Sequence, residues 1–207
     1  MAYFPFYFEL KDKKGIVIGG GNIALEKVAR LASFDATLTV IAPVISEEIK
    51  KYESDRIKLV NKKVELDDLV GAYYVIAATD DEKVNADICR YCREKNIPVN
   101  VVDDQEKCDF IFPSVIQRGP LVIGVSSSGA SPQVAMNIRR QIEDIVPDNI
   151  EEILDYLASV RPRVKTEVTD AGKRHKAFKH IANECMQKGE VLSPEELERI
   201  INMYCRI

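Results

Sequence analysis

The stretch Lys14-Gly15-Ile16-Val17-Ile18-Gly19-Gly20-Gly21-Asn22-Ile23-Ala24 decides the fold. A short apolar run, Ile16 to Ile18, ends in three glycines, and apolar residues then return at helical spacing as Ile23, Val28 and Leu31. That order reads as strand, tight turn, helix. The glycines fit the dinucleotide fingerprint G-x-G-x-x-G/A as Gly19, Gly21 and Ala24. Gly19 permits the turn, Gly21 lets backbone N–H groups approach a pyrophosphate, and Ala24 lets the helix pack close to the strand. The helix N-terminus then offers unpaired N–H groups and partial positive charge to phosphates. A glycine-rich turn with no ligand is the other reading of the same residues.

Outward from this unit, residues 22–33 read as the first helix, and Thr37-Leu38-Thr39-Val40-Ile41-Ala42 as the second strand. A usual NAD site places an acid at the end of that strand, about 20 residues past the glycines. Ala42-Pro43-Val44 stands there, with neither that acid nor an Arg suited to a 2′-phosphate. The adenosine end is therefore assigned to backbone around Pro43 and Val44, or to residues elsewhere. Upstream, Phe6-Tyr7-Phe8-Glu9-Leu10 is aromatic and β-prone and predicts a further short strand.

Downstream, residues 57–65 predict a strand and Asp67-Asp68-Leu69-Val70 a helical turn. Tyr73-Tyr74-Val75-Ile76-Ala77-Ala78 has the composition of a buried parallel strand. It ends in Thr79-Asp80-Asp81, where a helix over 82–95 begins. Carboxyl ends of parallel strands are where such sheets bind ligands. Thr79 and Asp80 are thus candidate cofactor neighbours, with simple helix capping as the alternative. Cys89-x-x-Cys92 within the helix lacks a second pair at metal-ligand spacing, so the sequence favours buried helix packing. Pro98-Val99-Asn100-Val101-Val102 predicts the next strand, ending in Asp103-Asp104. Adjacent carboxylates point in different directions, so at most one faces a ligand crevice. It would serve as a general base there, and the alternative is a pair of turn residues.

After Pro113 the texture changes. Residues 115–125 predict two strands joined by an Arg-Gly-Pro turn. Ser126-Ser127-Ser128-Gly129-Ala130-Ser131-Pro132 leads into a helix, with Ser131 as N-cap and Pro132 in the first turn. Hydroxyls at a helix start read either as an anion cradle or as a flexible loop. Helical patterns follow over 150–160, 169–188 and 193–204. Arg161, Arg163, Lys165, Lys173, Arg174, Lys176 and Lys179 gather around the first junction, with His175 and His180 nearby and only Glu167 and Asp170 opposing them. A solvated surface and a polyanion-binding patch both fit.

The 207 residues, 46% hydrophobic and 30% charged, are those of a soluble globular chain. No apolar run approaches the roughly 20 residues of a membrane span. The start, Met1-Ala2-Tyr3-Phe4-Pro5, shows no secretory signal. Five cysteines, an odd number at low density, point to a reducing cytoplasm. A net charge of −4 argues against wholesale nucleic-acid binding.

Several stretches then fall together in order and spacing: Gly19-Gly20-Gly21-Asn22-Ile23-Ala24, Ala77-Ala78-Thr79-Asp80-Asp81, Asn100-Val101-Val102-Asp103 and Val125-Ser126-Ser127-Ser128-Gly129-Ala130-Ser131-Pro132. The chain resembles the precorrin-2 dehydrogenase / sirohydrochlorin ferrochelatase family, the N-terminal module of siroheme synthase. The motifs cover residues 1–147, while the helical remainder is similar in length and type. The resemblance implies an α/β fold: a Rossmann-type parallel sheet domain over 1–113 that binds NAD, a small dimerisation segment over 114–147, and an all-helical C-terminal domain over 148–207.

It implies oxidation of precorrin-2 to sirohydrochlorin with NAD⁺ as acceptor, in a cytoplasmic homodimer. Some members also insert Fe²⁺ to give siroheme, and others only oxidise. By position, Asp103 matches the family's essential carboxylate, and Asn22, Ile23, Pro43 and Val44 match its NAD contacts. Ser127, flanked by Ser126 and Ser128, matches a serine lining the tetrapyrrole site, with Asn100 beside the carboxylate as a further substrate contact. Chelation needs no standing metal cage, and none is read in the sequence. The serine-lined helix start and the basic tail would offset the substrate's carboxylates. The rival of a different class is a nucleotide-sensing Rossmann module without catalysis. A gating domain of that kind keeps the acid after the second strand, and a repressor needs a DNA-binding element for which the N-terminus is too short.

Overall fold

The computed structural model describes residues 3–205. Met1 and Ala2, part of the stretch read as lacking a secretory signal, lie outside the described residues. The chain divides between Phe112 and Pro113 into two compact units.

The first unit is a five-stranded sheet: β1 (Lys14–Ile18), β2 (Thr37–Ala42), β3 (Ile57–Asn61), β4 (Tyr74–Ala77) and β5 (Val99–Val101). Helices α1 (Asn22–Ala32), α2 (Glu47–Lys50) and α3 (Glu82–Glu94) connect the strands, with a 3₁₀ turn at Leu66–Leu69 between β3 and β4. Every strand pair is parallel and the order is β3-β2-β1-β4-β5. Strand order therefore reverses between β1 and β4, which is where a doubly wound sheet opens a crevice at its carboxyl edge.

The continuous apolar runs follow from burial on both faces. On β1, Val17 packs with Ala24, Val28 and Leu31 of α1, while Ile16 and Ile18 pack with Ile88, Cys89 and Cys92 of α3. Ile16, Val17 and Ile18 are at most 2% exposed. Each such aliphatic side chain contributes roughly 1.5–3 kcal/mol by leaving water. Cys89 and Cys92 sit in this second cluster, and burial pushes the Cys92 thiol up to about 12. They pack as small apolar side chains, as their one-face spacing predicts.

Phe6-Tyr7-Phe8-Glu9-Leu10 is not a strand. β-propensity is a preference for packing on a pleated neighbour, and both edges of β1 are already taken by β2 and β4. The aromatics instead stack on one another, Phe4 on Phe6 at 4.9 Å and Phe6 on Phe8 at 6.2 Å between centroids.

The second unit begins with an antiparallel hairpin, β6 (Ser114–Arg118) and β7 (Leu121–Val125), turned at Gly119 with φ +54°. Helix α4 (Pro132–Ile145) follows, and Arg118 reaches its end, donating to the carbonyls of Val146 at 2.8 Å and Pro147 at 3.1 Å. Three more helices, α5 (Ile150–Glu167), α6 (Ala171–Lys188) and α7 (Pro194–Cys205), share a core of Ile153, Val164, Ala177, Ile181, Ile200 and Ile201.

The predicted break after residue 160 does not occur, and α5 runs through Pro162 to Glu167. An internal proline costs about 3 kcal/mol. Val160, Val164 and Val168 recur every four residues at 8%, 0% and 1% exposure, and burying that stripe offsets the cost.

Candidate active site

Four loops meet at the carboxyl edge of the first unit's sheet: the glycine turn after β1, Pro43-Val44 after β2, Thr79-Asp80 after β4 and Asp103 after β5. One strand separates β1 from β5, so their ends stand about 10 Å apart at ordinary strand spacing.

The three glycines have different jobs. Gly19 has φ +129°, and a β-carbon there would overlap the Ala78 carbonyl oxygen. Gly20 accepts from Ser46 N at 3.0 Å, and its β-carbon would lie 2.9 Å from the Val44 carbonyl carbon. These two press the β1, β2 and β4 ends together, which sets Pro43 and Val44 beside the turn. Gly21 is exposed, has an ordinary φ of −96°, and a β-carbon there would meet nothing within 4 Å. Its missing side chain is thus not required by the protein's own packing, and the open space lies over the start of α1. No side chain caps α1 and no acid occupies its first turn. Asn22 and Ile23 are exposed beside it, and Ala24 is fully buried against the sheet. An open glycine at an uncapped helix start fits a dinucleotide pyrophosphate.

At the end of β4, Thr79 is engaged in holding its own loop. Its hydroxyl donates to Asn85 Oδ1 at 2.8 Å, and Asn85 Nδ2 returns a bond to the Thr79 carbonyl at 2.9 Å. The cap of α3 is Asp81, whose carboxylate accepts from Lys83 N and Val84 N. Asp80 is left exposed beyond them. Asn85, only 7% exposed, went unremarked in the sequence, where nothing marks one polar residue within a helix as buried.

The adjacent acids have different surroundings. Asp104 pairs with Lys107, which holds its carboxyl below the usual carboxylate range. Asp103 is exposed in a left-handed turn with φ +62°. Its charge is felt by Lys27 of α1, the helix that springs from the glycine turn. Lys27 is half-buried, with its ammonium 4.5 Å from the Phe112 ring centroid. Burial chiefly, then the Arg30 charge, draws its pKa down, and Asp103 opposes that.

Asn100 is buried, with its amide donating to the Phe110 carbonyl at 2.9 Å and to Cys108 Sγ at 3.4 Å. It braces the loop after β5.

In the second unit, Ser127 is tied into its own turn. Its hydroxyl donates to the Ser131 carbonyl at 2.9 Å and accepts from Ser131 N at 3.0 Å. Ser126 Oγ accepts from Ser128 N, and both of these serines are exposed. Ser131 caps α4 by accepting from Val134 N.

The basic tail is largely engaged within its own helices. Arg163 pairs with Glu167 and Glu198, Arg174 donates to the Val168 and Thr169 carbonyls, and Arg161 lies 5.0 Å over the Phe178 ring. Glu198, far along the chain, opposes the patch together with Glu167 and Asp170. Lys176, Lys179 and His180 line a shallow concavity of about 270 Å³ with Asn183 and Tyr204. Among the described residues no group of three or more His, Cys, Asp or Glu side chains is placed to hold a metal ion.

Residues 6–114 match the family described as "Putative NAD(P)-binding", and residues 118–145 match the one described as "Sirohaem biosynthesis protein central". The siroheme synthase of a Psychrobacter species is 36% identical over 201 residues, covering 95% of this chain and 41% of that protein. The siroheme synthase of Methylococcus capsulatus is 38% identical over 178 residues, covering 84% of this chain and 37% of that protein. The chain spans about two fifths of the length of these relatives. Among solved structures, SirC, a precorrin-2 dehydrogenase, superposes with a TM-score of 0.76 at 22% identity, covering 99% of this chain and 100% of that one. The first of the two family matches spans more than half of the chain, so the chain belongs to the family described as "Putative NAD(P)-binding", with the segment described as "Sirohaem biosynthesis protein central" following it.

Proposed function

We propose that this chain oxidises precorrin-2 to sirohydrochlorin with NAD⁺, in the cytoplasm, where its five free thiols stay reduced. The observation that carries this reading is the pairing, across one sheet edge, of an open pyrophosphate cradle at Gly21 with an exposed carboxylate at Asp103. NAD⁺ supplies the hydride acceptor. The α1 start holds the pyrophosphate. Pro43 and Val44 border the adenosine end, and Asp80 borders the loop beside the fingerprint. Asp103 accepts the proton lost from the saturated ring carbon. Ser126 and Ser128 offer hydroxyls to substrate carboxylates, while Ser127 fixes their loop.

The same carboxylate would take the two pyrrole N–H protons one at a time, releasing each to solvent, as Fe²⁺, as a substrate, enters the macrocycle. A homodimer through residues 114–147 completes the reading. Val134, Ile138 and Ile145 form one stripe along α4 that is 50%, 42% and 78% exposed, a face suited to a second copy.

The experiment is incubation of purified protein with precorrin-2 and NAD⁺, then with Fe²⁺ or Co²⁺, followed by absorbance. Formation of the sirohydrochlorin spectrum with NADH supports the oxidation. No turnover with stoichiometric NAD⁺ binding supports a nucleotide sensor instead. A sirohydrochlorin spectrum that is never metallated faster than the protein-free control removes the chelatase step.

A further inference from the structure

β5 is an edge strand, paired on one side only with β4. Its outer backbone groups are nonetheless satisfied, by side chains and backbone of the loop that returns past it. Asp109 Oδ2 accepts from Val99 N at 3.0 Å, and Asp109 N donates to the Val99 carbonyl at 2.8 Å. One step further along, the partner is a sulfur. Cys108 Sγ accepts from Val101 N at 3.3 Å and from Asn100 Nδ2 at 3.4 Å. The same sulfur lies 3.1 Å from the Val101 carbonyl oxygen and 3.2 Å from that of Asp104.

These last two carbonyls flank the turn that carries Asp103. Asp104 N donates to the Val101 carbonyl at 3.3 Å to close that turn, and Asp103 takes the left-handed φ that non-glycine residues seldom adopt. A thiol donates one hydrogen and accepts weakly on the sulfur. Cys108 is half-buried, and burial raises its pKa, so the S–H donor is retained at neutral pH. Its sulfur is therefore a bridge across residues 101 and 104. The bridge sits behind the one residue whose placement sets the distance between carboxylate and reacting carbon.

We propose that Cys108, braced by Asn100, is a positioning residue that holds the Asp103 turn in its working conformation. The inference rests on the reading of Asp103 as proton acceptor. It makes Cys108 a determinant of turnover that touches neither substrate nor nucleotide. A displacement of about 1 Å at a reacting group lowers rates by up to roughly 100-fold.

The test compares Cys108→Val, which is apolar and somewhat larger and removes the bridge, and Cys108→Ala, which removes it without added bulk, with Cys108→Ser, which keeps a donor and an acceptor, and with Asp103→Asn as a control. For each, kcat, the NAD⁺ dissociation constant, the melting temperature and amide exchange at residues 103–105 are measured. Cys108→Val should lower kcat roughly 10- to 100-fold and speed exchange at 103–105. NAD⁺ affinity should stay within about twofold, because the glycine turn lies some 10 Å away. Cys108→Ser should recover most of both effects.

Wild-type kcat in Cys108→Val overturns the proposal. So does a kcat loss matched by an equal loss of NAD⁺ affinity and melting temperature, which marks a purely structural role. Should Cys108→Val fail to fold, Cys108→Ala, which also removes the bridge, decides: kcat falling in step with faster exchange supports positioning, and unchanged kcat overturns it. Wild-type turnover in Asp103→Asn removes the underlying reading and this inference with it. An inactive Asp103→Asn beside a fully active Cys108→Val removes this inference alone.

Discussion

Replacing Gly21 with alanine isolates the nucleotide cradle from the fold around it. The added β-carbon meets nothing within 4 Å, and the backbone at φ −96° and ψ −166° is open to any residue. Glycine-to-alanine at an unstrained position gains chain entropy, and loss of a glycine cap costs a few tenths to 1 kcal/mol. The two nearly cancel, so stability should move by no more than about 0.5 kcal/mol, or roughly 1–2 °C in melting temperature for a chain of this size. A bound pyrophosphate would meet the new methyl. Keeping a phosphate oxygen from one N–H group forfeits a charge-assisted hydrogen bond of about 1.5–3 kcal/mol, which is roughly 10- to 150-fold in the dissociation constant.

Gly19→Ala is the contrasting perturbation. There the φ of +129° and the overlap with Ala78 O act on the free protein, costing about 2–4 kcal/mol and roughly 5–15 °C. Calorimetric titration with NAD⁺ and a circular-dichroism melt on both variants give the two readouts. Wild-type NAD⁺ affinity in a Gly21→Ala protein of unchanged melting temperature would refute the cradle.

Two further outcomes are expected. Arg163 holds Glu198 below its ordinary value of 4.5, so the tie between α5 and α7 stabilises the fold above that pH and is lost as pH falls through the depressed value. The melting temperature of the full chain should therefore drop as pH falls below the ordinary value of 4.5, and Arg163→Met should flatten part of that slope. A double Ile138→Asp, Ile145→Asp variant should shift light-scattering mass from dimer to monomer while leaving the melt of the protomer intact. A wild-type mass that is already monomeric contradicts the dimer.

The first crossover was legible in the sequence because two periodicities changed at the glycines. Ile16 to Ile18 run continuously where a strand is buried on both faces, and Val28 and Leu31 fall on the buried helix face as expected, but Ala24 joins them there in place of Ile23, which is 41% exposed. β2 has the same ends in sequence and structure, and the α4 start was written in Ser131-Pro132. Phe6-Tyr7-Phe8 misled because aromatic content reports an affinity for pleated surface and says nothing about a free edge to receive it. The helix end expected at residue 160 fell short, because a pattern read along the chain carries no information about Val164 and Val168 being buried three-dimensionally.

At the site, the positions of Gly21, Asp80 and Asp103 on one edge follow from strand ends alone. The bonds that spend Thr79, Asn100 and Ser127 on their own loops were not readable. Nor was the sulfur bridge of Cys108. A hydroxyl, amide or thiol has the same letter whether it faces a ligand or a carbonyl seven residues away.

The central claim is that a carboxylate at the end of β5 takes the substrate's proton opposite a nucleotide held at the end of β1. The most direct measurement is single-turnover NADH formation from precorrin-2 by Asp103→Asn, with NAD⁺ affinity determined on the same sample. The account predicts a rate lower by about 10²- to 10⁴-fold at unchanged NAD⁺ affinity, and a rate equal to wild type at that affinity would contradict it.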